Sequence, residues 1–160
     1  MADRGTLYTM IRIGHAHDPT VRSGVTILLP DAPMVCAVDM RGGGPATRGT
    51  EAVGAGGTLG IAHAIGRAGG SVLGRGAADA VAGLLSAGGV GLTLVPGTPA
   101  VPIVPAACLY DLNNGGTKDW GEAPPYGALA GEALGAVSRE SGQGSLGAGY
   151  GARAGGGRGG

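Results

Sequence analysis

Phenylalanine is absent from the 160 residues, tryptophan and lysine occur once each, and tyrosine only four times. With 37 glycines in the same chain, large rings cannot fill the interior. The core has to be built from Ala, Val, Leu and Ile, and the backbones around it must pack closely. A hydrophobic fraction of 43% nevertheless excludes a chain that is disordered throughout. The length suits one domain with a buried core, or one part of a larger domain.

Charge of either sign is also missing in excess, because eleven basic and eleven acidic side chains cancel. No long-range field is therefore available to gather nucleic acid or an anionic membrane, and partners have to be selected by shape and local contacts. Only two cysteines are present, Cys36 and Cys108. Without CxxC spacing or a neighbouring signal segment they are expected as buried thiols of a cytoplasmic protein. The opening "MADRGTLYTMIRIG" lacks the apolar run of a secretion signal, and no stretch of about 18 apolar residues exists to span a bilayer.

The patterns that are present predict a mixed α/β layer structure. "SGVTILLP" and "PMVCAVDM" predict a hairpin about the Pro30 to Pro33 turn, with Met34, Cys36 and Val38 on one face. "RGGGPATRGTE" is expected as a loop at a sheet edge. Leu59, Ala62, His63 and Ile65 are spaced for a short helix, and Ala77, Val81, Leu84 and Leu85 for a second one stopped by Gly88 and Gly89. "VGLTLVP" alternates like a strand. "AVPIVPAACLY" is extended with two prolines, which suits an edge strand or a cavity wall. Leu129, Ala133 and Val137 repeat as on a helix. Leu146, Ala148, Tyr150 and Ala152 alternate with small residues, as a packed strand would, so the domain is expected to reach residue 152. Residues 153–160 form a glycine-rich tail in which order costs the most entropy.

Motifs for common chemistries are lacking. His15, His17 and Asp18 in "GHAHD" offer two imidazoles two residues apart, but His63 is the one further histidine, so ordinary turn polarity is the better reading than zinc. Ser71 in "GGSVLG" fails the GxSxG pattern at Leu73 and is expected to cap the helix that follows. Neither a phosphate-binding GxxxxGKS/T nor GxGxxG occurs, and one terminal "RGG" is too little for nucleic acid. The scattered carboxylates define no acid/base pair.

Taken in order, "GHAHD", "SGVTILLP", "AVDMRGGGPATRGTE", "HAIGRAGGSVLGRGAADAV", "VPIVPAACLYDLNNGGTKDWGEAPPY" and "GSLGAGYGA" resemble the successive motifs of the self-processing β-aminopeptidase and D-aminopeptidase family, which includes the nylon-oligomer amidases. The resemblance runs from about Ile13 to Ala152. It implies an N-terminal-nucleophile-like hydrolase of αββα layers; no cofactor or metal is expected, and the balanced charge points to neither nucleic acid nor membrane as partner. A precursor cuts itself, and the new terminal Ser or Thr uses its own amine as base, so no histidine is required. It also implies that this chain is the N-terminal portion: the catalytic Asn and the nucleophile follow further on, in a complementary C-terminal segment, and Arg158 of "RGG" stands where the family has lysine.

By the same resemblance Tyr110 lines the catalytic pocket, where its phenol can donate to the substrate carbonyl oxygen. Cys108 occupies the place at which aminopeptidases of the family carry a glutamate for the substrate's amine. "NNGGTKDWGEAPPY" is nearer the nylon-oligomer amidases, which implies Asn113, Lys118 and Trp120 as substrate-binding residues and small peptides or amide oligomers as substrates. The competing reading is a non-catalytic binding or assembly module of the same fold. If strands are missing from the sheet, "VTILL" and "GLTLV" are expected to expose apolar edges and to favour a homo-oligomer.

Overall fold

The computed structural model describes residues 10–153. Its main sheet has five strands: β1 (Ile11–Asp18), β2 (Ser23–Pro30), β4 (Thr47–Arg48), β6 (Ile65–Ala68) and β7 (Ala106–Cys108), in the order β1-β2-β6-β7-β4. β1 and β2 form an antiparallel hairpin in which Ile11 faces Pro30 and Asp18 faces Ser23. β6 runs antiparallel to β2, β7 parallel to β6, and β4 antiparallel to β7 at the edge. A separate ribbon pairs β3 (Met34–Val35) with β5 (Ile61–Ala62). The helices are α1 (Gly76–Ala87) and α2 (Tyr126–Gly135).

Both helices cover the same face of the sheet. In α1, Ala77, Ala78, Val81 and Leu85 are buried, and the chain leaves the helix at Gly88. α2 buries Tyr126, Leu129, Ala130 and Ala133, an i, i+3, i+4, i+7 stripe that follows Pro124 and Pro125. These residues enclose Val25, Ile27, Ala68 and Ala106 of the sheet. A core of such small side chains closes only if the layers approach at backbone distance. Gly14 shows how: a Cβ there would run into the carbonyl oxygen of Ala133 in α2.

The observed elements correct several expectations. The hairpin is β1–β2, not β2 with "PMVCAVDM", of which only Met34–Val35 is strand. The expected alternation survives there, with Met34, Cys36 and Val38 half-buried and Val35 and Ala37 exposed. No helix forms over Leu59 to Ile65. Gly60 sits at φ +56, and pairing of Ile61–Ala62 with β3 and of Ile65–Ala68 with β2 replaces it. "VGLTLVP" is not a strand: Leu92 makes one bridge to Val101, while Leu94 and Val95 are exposed. Leu146 to Ala152 holds a 3-10 turn, Gly147–Gly149, instead of a strand. "VTILL" lies inside the sheet between two partners, so it is no exposed edge. Most of the tail predicted for residues 153–160 lies outside the described residues.

Candidate active site

Parallel β6 and β7 end side by side. β6 runs into Gly69, Gly70 and Ser71, and β7 into Leu109, Tyr110 and Asp111. The two ends are tied together by Leu109 N–H to the Ala68 carbonyl and Ser71 N–H to the Leu109 carbonyl, each 2.9 Å. Asp111 is only 2% exposed. Its carboxylate accepts the Gly70 N–H at 2.7 Å and the Ser23 hydroxyl at 2.7 Å. Ser23 Oγ also lies 3.1 Å from the Tyr126 hydroxyl. Burial, reinforced by the Asp111 charge, pushes the Tyr126 phenol up to about 12, so it stays protonated. Gly70 makes this cluster possible: its φ is +77, and a Cβ would strike the Tyr126 ring.

Tyr110 stands between these anchored neighbours and is 60% exposed. Cys108, two residues earlier, is half-buried, and burial pushes its thiol up to about 11, with Asp111 raising it further and Arg75 opposing. It borders a cavity of about 560 Å³. Leu28, Ile65, Arg67 and Ala107 line that cavity. Strand register puts these four on the face opposite the helices.

The loop after Asp111 uses its polar groups internally. Asn113 is exposed. Its neighbour Asn114 is 2% exposed and donates through Nδ2 to the carbonyls of Arg22 at 2.5 Å and Gly151 at 3.1 Å. Asn114 Oδ1 accepts from Gly116 N–H at 3.2 Å and Lys118 Nζ at 3.0 Å. Lys118 donates also to the Val21 carbonyl, and burial lowers its pKa. Trp120 packs edge-on against Tyr126, centroids 5.9 Å apart. Lys118 and Trp120 thus brace the loop, while Tyr110 and Asn113 face solvent from it. Ser23, Asp111, Asn114 and Tyr126 escaped the sequence reading. The available signal was the "NNGG" run, whose Gly116 is pressed against the Val21 carbonyl so closely that a Cβ would collide.

Other candidates lie apart from this cluster. His15 Nδ1 is 2.9 Å from Thr26 Oγ1, which also accepts the Ala148 N–H, and His17 stacks on Tyr150 at 4.2 Å. His63 accepts the Ile103 N–H, and burial lowers its pKa. Among the described residues no three His, Cys, Asp or Glu side chains are grouped to hold a metal ion, and no helix is long and apolar enough to cross a membrane. Ser71 is not a helix cap. It holds φ +55 one residue after the cap position of a 3-10 turn, Ser71–Arg75, and no side-chain cap bond is made.

The model of Peptidase family S58 matches residues 9–160. The chain belongs to peptidase family S58. It is 37% identical over 140 residues to an "uncharacterized aminopeptidase" of Mycobacterium tuberculosis, covering 79% of this chain and 40% of that protein. Another protein so named, from Mycobacterium leprae, is 37% identical over 158 residues, 91% of this chain and 43% of its own length. The chain therefore spans about two-fifths of the length of the curated relatives it matches. In this S58 chain the mixed sheet with its helices is consistent with an α/β peptidase fold. Ser23 is buried, burial favours the protonated Cys108 thiol, and the exposed Tyr110 is flanked by hydrogen-bonded Leu109 and Asp111.

Proposed function

We propose that this S58 chain forms the binding and orienting part of an amide-bond hydrolase, whose terminal Ser or Thr nucleophile comes from a complementary segment packed on the open sheet face in an αββα arrangement. The observation that carries the reading is the exposed Tyr110 between two anchored residues, Leu109 and Asp111. An exposed phenol on a backbone fixed at both neighbours is available to donate to a carbonyl oxygen as charge develops on it. The terminal amine takes the proton of its own hydroxyl, the oxygen attacks the substrate carbonyl, and the Tyr110 O–H donates to the resulting oxyanion. The proton then passes to the leaving amine, and water releases the acyl group.

The substrates we assign are small peptides or amide oligomers, in line with the aminopeptidase names of the relatives. Cys108 carries no charge near neutral pH. It gives a substrate's free amine no carboxylate to meet, which supports the nylon-oligomer side of the family. Asn113 is the exposed polar contact in the same loop, and Lys118 and Trp120 position that loop. We assign the assembly as a homo-oligomer, supported by exposed Val35, Leu94 and Val95, and its location as cytoplasmic.

The test is expression from the native locus with its downstream sequence, followed by intact mass spectrometry and amide-hydrolysis assays. A companion polypeptide starting with Ser or Thr is expected, together with activity that Tyr110→Phe lowers about a hundredfold in kcat. The 160-residue chain alone should give no steady hydrolysis. Finding no companion would favour the binding-module reading, and an unchanged kcat in the Tyr110 variant would remove the oxyanion role.

A further inference from the structure

A second site lies where the β1–β2 turn, the 112–118 loop and the segment after the Gly147–Gly149 turn converge. A cavity of about 320 Å³ opens there, lined by Arg22, Asn114, Ser145, Tyr150 and Arg153 among others. Both guanidinium groups reach one acceptor, the Asn114 carbonyl oxygen, at 3.3 Å from Arg22 Nη1 and 2.7 Å from Arg153 Nη2. Two like charges drawn to one neutral oxygen repel each other, and among the described residues neither has a carboxylate partner. The described ion pairs instead use Arg12, Arg41, Arg48 and Arg139.

The surrounding charges sharpen the picture. Lys118 is a third cation, close enough for Arg22 to lower its pKa while Asp111 raises it. Asp111 is buried, with its carboxylate committed to Ser23 and Gly70. The Asp18 carboxylate is committed to the amides of Thr20 and Val21. Neither carboxylate is bonded to Arg22 or Arg153. The backbone holds the arrangement in place at some cost: Arg22 sits at φ +52, a conformation unfavourable for a side-chain-bearing residue, fixed there by the Asn114 bond to its carbonyl. Gly151 brings the other arm in, since a Cβ there would collide with the Arg22 carbonyl.

We propose that this cavity binds the carboxylate of a small molecule, clamped between Arg22 and Arg153. A carboxylate has two oxygens, one for each planar fork, and its negative charge offsets the repulsion between the two guanidiniums. A free carboxyl end of a peptide or amide oligomer is one bearer of that group. The site does not depend on hydrolysis, because its readout is binding.

Calorimetric titration of the 160-residue chain at fixed ionic strength tests it, with 6-acetamidohexanoate as ligand and its methyl ester and inorganic phosphate as controls. Saturable binding of the acid is expected, with the ester silent and phosphate weaker. Arg22→Gly and Arg153→Gln should each weaken the acid at least about tenfold. Glycine accepts φ +52 freely, so Arg22→Gly should melt no lower than the parent, which separates lost binding from lost folding. Absence of saturable binding, equal binding of ester and acid, equal or tighter phosphate binding, or parental affinity in both variants would overturn the proposal.

Discussion

The two faces of the main sheet are built from the same poor alphabet and end up unlike. On the helix side Gly14, Ala16, Val25, Ile27, Ala68 and Ala106 meet α1 and α2 with almost no solvent between them. On the other side Leu28, Ile65, Arg67 and Ala107 look into a cavity of about 560 Å³, and nearby Val35 is 90% exposed. Composition does not separate them; the use of glycine does. Gly14 lets a helix carbonyl come down onto the strand, whereas a Cβ on Gly42, Gly43 or Gly44, beside the cavity, would meet nothing within 4 Å. A chain without phenylalanine makes a core by bringing backbones together. Where that approach fails, apolar surface stays open.

Adding side-chain volume breaks the comparison most directly. Gly14→Val should lower unfolding free energy by about 3 kcal/mol or more in a denaturant titration, because the obstacle is backbone of α2 rather than a movable side chain. Raising the pH loosens the packed side next. Cys108 and Tyr126 pack at the helix-side core and titrate at about 11 and about 12 when folded, against ordinary values of 9.0 and 10.0. Over that window the folded chain keeps protons that the unfolded chain has released. Their stabilisation is therefore whole below pH 9 and is lost as the pH rises through about 11 to 12, which thermal melts across the range would read. The smallest effect belongs to the open side, where Gly43→Ala should stay within about 0.5 kcal/mol of the parent. Equal losses for Gly14→Val and Gly43→Ala would erase the distinction.

Much of the helical layer is legible in the sequence. Ala77, Val81 and Leu85 repeat at one-turn spacing and Gly88 follows, and Leu129 and Ala133 do the same for α2, whereas the expected Leu84 is exposed and Val137 falls past the end of α2. The sheet is harder to read because its buried positions are small. In "IRIGHAHD" the residues facing the helices are Gly14 and Ala16, while His15 and His17 on the other face look like a polar motif. Leu59, Ala62 and Ile65 have helical spacing, but two strand pairings outweigh it. At the site, Tyr110, Asn113, Lys118 and Trp120 fall in one readable run. Yet the residues that hold the run, Ser23 and Arg22, lie some 90 positions away in sequence from the Asp111 and Asn114 they bind.

By itself the sequence determined the two helices and the need for a core without large rings, because each depends on local spacing or composition, and its ordered motifs carried the resemblance to the family. Only the tertiary structure decided which strands pair, that Lys118 and Trp120 brace the loop while Tyr110 stands free, and that Arg22 meets Arg153 at one carbonyl. Those outcomes depend on which distant backbones can approach, and in a chain so rich in glycine that is settled by the steric fit of the assembled layers.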